Sequence, residues 1–189
     1  MKAADAGDRF VPPAAIGGSR AGHPVRVVVV SRPEEIESCR RLFREYAEQL
    51  QVDLCFQGFE AELAALPGEY AESAGGRLLL ALVDGEPAGC GALRHLADVD
   101  YVNACEMKRL YVRRGFRRYG LGRTLAQALI DAAREIGYSN LLLDTLDDME
   151  AARELYARLG FREVPPYYFN PIPGAHYLCA DLDDAATRF

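Results

Sequence analysis

The amino-acid sequence predicts an α/β fold of the mixed (α+β) kind: one central sheet, mostly antiparallel, with helices on both faces. Three observations carry this. Short apolar, β-branched runs alternate with segments of helical period. Asp84-Gly85 separates two such runs and reads as a tight hairpin turn, which joins antiparallel strands. A strand–helix–strand unit from 104 to 146 needs a parallel, right-handed crossover.

The elements follow in order. Residues 1–24 are rich in Ala, Gly and Pro without a period and read as a flexible N-terminal arm, leaving 25–189 as a single domain. Val25–Ser31 is a β-branched first strand. Ser31 and Glu34 form an S-x-x-E capping box with Pro33 in the first turn. The helix that follows shows Ile36, Cys39, Phe43, Tyr46 and Leu50 at helical spacing. A second short helix covers Phe59–Leu66 and ends near Pro67-Gly68. Arg77–Val83 and Ala88–Leu96 are the hairpin strands, and Gly89 and Gly91 mark a close backbone approach. Ala104–Val112 is a further strand. Leu121, Leu125, Leu129, Ala132 and Ile136 define a strongly amphipathic helix stopped by Gly137. Asn140–Leu146 is a buried strand. Ala152, Leu155, Tyr156 and Leu159 make a last helix stopped by Gly160, and Ala175–Leu182 is the final strand after the proline-rich loop Pro165–Pro173.

Composition narrows the function. Half of the 189 residues are hydrophobic and 26% are charged, a globular balance. No apolar run approaches the roughly 18 residues that span a bilayer, and Asp5 and Asp8 stand where a secretory signal would be apolar. The five cysteines, at 39, 55, 90, 105 and 179, are odd in number and lack C-x-x-C spacing, so a reducing cytoplasm fits better than a disulfide framework. Three scattered histidines offer no metal motif. The net charge is −6, yet Lys108–Arg123 holds seven basic residues and no acidic one, leaving 15 basic against 28 acidic elsewhere. That balance argues against a nucleic-acid coat and for one local anion.

The basic stretch ends in Arg117-Arg118-Tyr119-Gly120-Leu121-Gly122-Arg123-Thr124, between a strand and a helix. Glycines there let a ligand approach the backbone, and free N–H groups at the helix N-terminus, aided by the dipole, point at an anion. Arg117, Arg118 and Arg123 add charge, so a pyrophosphate cradle is one reading. A solvated basic loop with turn glycines is the other. A P-loop fails because Arg123 follows Gly122, and a dinucleotide fingerprint fails at Leu125. An RNA-binding pattern beginning at Arg114-Gly115-Phe116 fails at Arg117.

Arg117-x-x-Gly120-x-Gly122 resembles the R/Q-x-x-G-x-G/A acyl-CoA signature of the GNAT N-acetyltransferase superfamily. Cys105–Val112 looks like that family's fourth strand, and Leu155-Tyr-Ala-Arg-Leu-Gly-Phe161 looks like its LYxxxGF helix end. The resemblance covers about Val25 to Leu182. It implies a splayed sheet whose fourth and fifth strands part around a bulge, with the pantetheine arm of acetyl-CoA in the wedge. It implies that backbone groups of Leu110, Tyr111 and Val112 pair with pantetheine. Amides from Arg118 through Gly120, Leu121, Gly122 and Arg123 to Thr124 would hold the pyrophosphate. Many relatives carry Asn seven residues before Tyr156, where this chain has Met149, which puts that side-chain contact in question.

Acetyl transfer to an amine needs a proton acceptor, because an ammonium of pKa about 10 is not nucleophilic at neutral pH. Glu106, eleven residues before Arg117, resembles the general-base glutamate of some family members. Period two puts Glu106, Lys108, Leu110 and Val112 on one sheet face. The other reading of Glu106 is an ion pair with Lys108 or an arginine. Tyr156 matches the tyrosine that protonates the departing thiolate, and packing on the apolar stripe is its alternative. Cys105 beside Glu106 raises a covalent route, but free cysteines are usually small buried hydrophobes and no histidine is close in sequence.

The segment Pro165–Gly174 is too long for a tight turn. Tyr167, Tyr168 and Asn170 are its candidates for lining the acceptor pocket; a rigid proline loop closing two strands is the alternative. The expected activity is direct transfer from acetyl-CoA to the primary amine of a small molecule, without nucleic acid or membrane and with homodimerisation open. The rivals are a non-catalytic acyl-CoA sensor and, through the basic segment, a nucleic-acid binder.

Overall fold

The computed structural model describes residues 10–11, 23–50 and 58–183. Most of the arm at 1–24 lies outside the described residues, as do 51–57 and 184–189. Within the arm, Phe10–Val11 (β1) pairs antiparallel with β2, Val25–Val29. Helix α1 spans Pro33–Leu50 and α2 Phe59–Ala65. The hairpin strands are β3, Arg77–Val83, and β4, Glu86–Leu96, and they lead into β5, Ala104–Val112. Then come α3, Leu121–Ile136, β6, Asn140–Leu146, and α4, Glu150–Arg158. Strands β7, Arg162–Val164, and β8, Ala175–Asp181, close the chain.

The strands form one sheet in the order β1-β2-β3-β4-β5-β6-β8-β7. Only β5 and β6 run parallel, as the crossover through α3 requires. Sequence reasoning missed β7, whose three residues include Arg162 and Glu163 and are too short to alternate. The hairpin turn has positive φ at both Asp84 and Gly85, the geometry that suits two-residue hairpins. The capping box is shifted by one residue from the sequence reading. Because Pro33 opens α1, the carboxylate three residues past the cap is Glu35, and Glu35 rather than Glu34 accepts the amides of Ser31 and Arg32 at 3.0 and 3.1 Å.

The helical stripes cover both faces. On one, Leu121, Leu125, Leu129 and Ile130 of α3 pack with Leu79, Ala81, Leu93, Cys105 and Met107. On the other, Cys39, Leu42 and Phe43 of α1 and Leu63 of α2 pack with Leu78, Leu80, Cys90, Ala92 and Tyr111. No helix among the described residues is long and apolar enough to cross a membrane.

A bulge interrupts the β4–β5 ladder. Cys90 pairs with Tyr111 and Ala92 with Lys108, so Gly91 stands opposite both Arg109 and Leu110. Arg109 takes a φ of 57°, a left-handed conformation unusual for a residue with a side chain. The inserted residue resets the alternation. Cys105, Met107, Leu110 and Val112 join the α3 face, while Tyr111 joins the α1–α2 face. This corrects the expectation that Glu106, Lys108, Leu110 and Val112 share a face: Glu106 and Lys108 alternate with Cys105 and Met107 and so face α1 and α2.

Gly89 sits at the close approach. A Cβ there would lie 2.6 Å from the Tyr111 carbonyl oxygen, which is backbone and cannot swing away. At Gly91 the nearest atom is the flexible Leu129 Cδ1 at 2.8 Å. Gly89→Ala is therefore expected to cost about 1–3 kcal/mol, the range of overpacking, and Gly91→Ala less. Chemical denaturation of both variants checks the order.

Candidate active site

The parallel strands hold together only at their start. Ala104, Cys105 and Glu106 pair with Asn140, Leu141 and Leu142, and the two strands then separate. From Met107 onward the β5 edge that faced β6 is open. A small cavity of about 40 Å³ occupies the wedge, with Met107, Lys108 and Leu110 on one wall and Asp144, Met149 and Tyr156 on the other. Met149 thus stands at the cavity, where many relatives carry Asn. Tyr156 is nearly buried, with its ring 5.5 Å from that of Phe161. Burial, with the charge of Asp144 beside it, pushes its phenol up, so it stays protonated.

Helix α3 starts beside this region. Its cap, Gly120, has a φ of 73°, suited to glycine, and supplies no side-chain hydrogen bond. The first-turn N–H groups therefore lack a capping side chain. A Cβ on Gly122 would touch only Leu155 Cδ2 at 3.8 Å, so the chain's own packing does not demand glycine there.

On the α1–α2 face lies a larger cleft of about 380 Å³, lined by Arg94, Glu106, Lys108, Tyr167, Tyr168 and Phe169 among others. Lys108 and Arg109 line both cavities, so the two meet at these residues. The structure brings the expected base and the expected acceptor loop into direct contact: the Tyr167 hydroxyl donates to Glu106 Oε1 at 2.8 Å. Arg94 Nε and Nη2 each reach Glu106 Oε2 at 2.8 Å, and Lys108 Nζ lies 3.7 Å from Oε1. Glu106 is 1% exposed and ion-paired.

Asp144 receives Lys108 Nζ at 3.3 Å and Asn170 Nδ2 at 3.2 Å, and the Tyr168 hydroxyl also bonds to it. Tyr167, Tyr168 and Tyr177 pack ring against ring at 5.3–5.5 Å, which makes the loop a built wall. Burial, then the charges of Glu106 and Asp144, push the Tyr167 and Tyr168 phenols well up.

The basic segment is divided between roles. Arg109 forms a buried pair with Glu62, at 2.5 and 3.0 Å. Arg113 binds Glu45 at 2.7 and 2.9 Å, and Lys108 binds Asp144. Arg117 donates to the Val112 carbonyl and to Gln49, bracing the loop before α3. The single +7 anion attractor suggested by the sequence is thus reduced, because three of its charges meet carboxylates within the fold.

Cys105 is fully buried, with its thiol pushed up first by burial. His95 stands opposite it in the ladder, but its ring stacks on Tyr138 at 5.9 Å. Neither feature suits an accessible nucleophile. Sequence reasoning missed Arg94, Asp144 and Glu62. A charged residue inside an otherwise apolar strand was the available signal for Asp144, and Arg94 also lies within a strand.

The sequence profile described as the Acetyltransferase (GNAT) family matches residues 37–161. A Schizosaccharomyces pombe protein described as an uncharacterized N-acetyltransferase is 35% identical over 158 residues, covering 84% of this chain and 95% of that protein. A GNAT-family acetyltransferase from Staphylococcus aureus superposes with a TM-score of 0.68 at 20% identity, covering 84% of this chain and 99% of that one. A Salmonella typhimurium protein assigned as an acetyltransferase, solved with its cofactor acetyl-CoA, superposes with a TM-score of 0.64 at 20% identity, covering 86% and 96%. At these identities the two structures establish the fold.

Proposed function

The chain belongs to the acetyltransferase (GNAT) family and is an N-acetyltransferase; from that premise we propose that it moves an acetyl group from acetyl-CoA directly to the primary amine of a small molecule, within one ternary complex. The observation that carries this reading is the meeting of two cavities at Lys108, one holding Tyr156 and the other Glu106 with the tyrosine wall. Residues 25–189 act as one acyl-CoA-binding domain.

The chain's residues fit the cofactor. The open β5 edge at Leu110, Tyr111 and Val112 offers backbone groups to an extended pantetheine arm, as an added strand would. The uncapped first turn of α3, at Leu121, Gly122 and Arg123, offers N–H groups to a pyrophosphate, while the Thr124 amide already donates to the Gly120 carbonyl at 3.2 Å, and Gly122 leaves its approach open. The amides of Arg118 and Gly120 lead into that turn, and Arg117 and Arg123 add positive charge. Bound acetyl-CoA supplies the activated thioester.

Tyr156 is the acid: its protonated phenol donates to the sulfur that leaves. Glu106 is the base and acts through Tyr167. The amine gives a proton to the Tyr167 oxygen while the Tyr167 hydroxyl proton passes along its 2.8 Å bond to Glu106. Tyr168 and Asn170 line the acceptor side and hold Asp144.

Calorimetry with CoA, followed by thiol release across a primary-amine library at saturating acetyl-CoA, tests the reading. Turnover with at least one amine is expected; CoA binding with no turnover would instead make the protein a sensor. Glu106→Gln is expected to lower kcat about 10²-fold, the low end of general acid–base effects, with CoA affinity within about twofold. An unchanged kcat would remove Glu106 from the relay.

A further inference from the structure

We infer that Asp144 is the acceptor-binding carboxylate, which holds the ammonium of a primary amine that carries no carboxylate beside its nitrogen. This rests on the transferase reading above and adds the chemical class of the acceptor. Glu69, Glu106 and Asp144 form one chain of ion pairs with Arg94 and Lys108, while Glu62 and Arg109 pair separately beside it. Among the described residues that chain sets three carboxylates against two cations, so it has room for one further positive charge. Asp98 at the cleft adds another negative charge.

Contact geometry assigns that vacancy to Asp144. Glu62 takes two bonds from Arg109 and one from the Tyr70 hydroxyl at 2.6 Å. Glu106 is enclosed by Arg94 and Tyr167. Glu69 is 70% exposed, where solvent screens its charge. Asp144 is nearly buried, and its cation is the more distant Lys108 at 3.3 Å; its other donors, Asn170 and Tyr168, are neutral. Among the described residues Asp144 is also the one carboxylate lining the wedge cavity with Tyr156, so an ammonium held there lies beside the acid that protonates the leaving sulfur.

The same geometry excludes one class of acceptor. An α-amino acid bound by its ammonium would bring its own carboxylate against Asp144, in a region already short of cations. Like charges brought together away from water repel strongly.

Two matched probe pairs test this: 2-phenylethylamine against L-phenylalanine, and n-butylamine against L-norvaline, each pair differing only in an α-carboxylate. Thiol release at saturating acetyl-CoA is expected to give each amine a kcat/KM about tenfold or more above its amino acid, equivalent to about 1.4 kcal/mol or more. Asp144→Asn is expected to raise the amine KM about tenfold and to narrow the ratio, with CoA affinity by calorimetry within about twofold. Because the ratio compares acceptors on one protein, general damage to the fold does not move it, and the wild-type ratio decides even if Asp144→Asn fails to fold. An amino acid equal to or better than its amine overturns the inference, as does a ratio unchanged in the variant or no turnover of any probe by protein that binds CoA. Failure of the wild-type protein to bind CoA would instead strike the transferase reading, and the inference with it.

Discussion

Replacing Arg109 with methionine is expected to lower stability by about 3–5 kcal/mol at pH 7, the cost of leaving a buried partner charge uncompensated. The Arg109 side chain is 3% exposed and that of Glu62 13%. Two hydrogen bonds join them, and the guanidinium also lies 5.2 Å from the Phe59 ring centroid, which ties α2 to the bulge. Methionine is unbranched like the arginine stem and leaves the left-handed backbone requirement unchanged, but it is shorter and lacks the guanidinium, so the ion pair and the contact with Phe59 are what it removes. The double variant Arg109→Met/Glu62→Leu, which removes both charges, is expected to recover most of the loss. Equal destabilisation of the single and double variants would show that the bulge, rather than the charge, is being damaged.

The penalty has a pH signature. Burial pushes the Glu62 carboxyl up, but the hydrogen bonds and charge of Arg109, with the Tyr70 hydroxyl, outweigh it and hold the group below its ordinary value. A depressed carboxyl stabilises the fold above its unfolded-state pKa, and that contribution is lost as pH falls through the folded value. In Arg109→Met the unpaired Glu62 can bury its neutral form once protonated. The stability difference between wild type and variant is therefore largest near neutrality and shrinks below the ordinary carboxylate pKa of about 4.3. Urea titrations at pH 7 and near pH 4 measure it, and a difference that grows toward low pH would contradict the pairing.

Tyr156→Phe is expected to reduce kcat about 10²-fold while leaving CoA affinity within about twofold. The substitution removes one oxygen from a ring that keeps its contact with Phe161, so the packing reading of Tyr156 predicts little change in turnover. The acid reading predicts a loss confined to the chemical step. Because burial keeps the phenol protonated, the wild-type rate is not expected to fall with loss of this proton at mildly alkaline pH. Full activity in Tyr156→Phe would assign the residue to the core.

Much of the architecture was legible because its signals are local. Arg77–Val83, Ala104–Val112 and Asn140–Leu146 appear with the limits their apolar runs suggest. The hairpin at Asp84-Gly85 and the glycine turn before α3 depend on backbone preferences within a few residues. Family likeness drew attention to Glu106 and Tyr156, and length drew attention to the loop at 165–174. It did not show that Tyr167 donates to Glu106, because 61 positions separate the two and only the closing of β8 against β6 brings them together.

The charge distribution shows where the sequence alone stops. A run of seven basic residues in sixteen positions suggests a single electropositive patch. In the fold, Lys108 meets Asp144 across the parting of β5 and β6, Arg109 meets Glu62 from α2, and Arg113 meets Glu45 from α1. Those partners lie 36, 47 and 68 positions away, beyond the reach of local spacing. Period two likewise misassigned the faces of β5, since the bulge at Arg109 is a property of the paired strands. The sequence by itself determined most of the elements, their order and the glycine turn before α3, because short-range periodicity and turn chemistry specify these. The tertiary structure alone decided which charges neutralise one another and which face Glu106 takes, because ion pairing and sheet register are long-range and form only when distant segments pack.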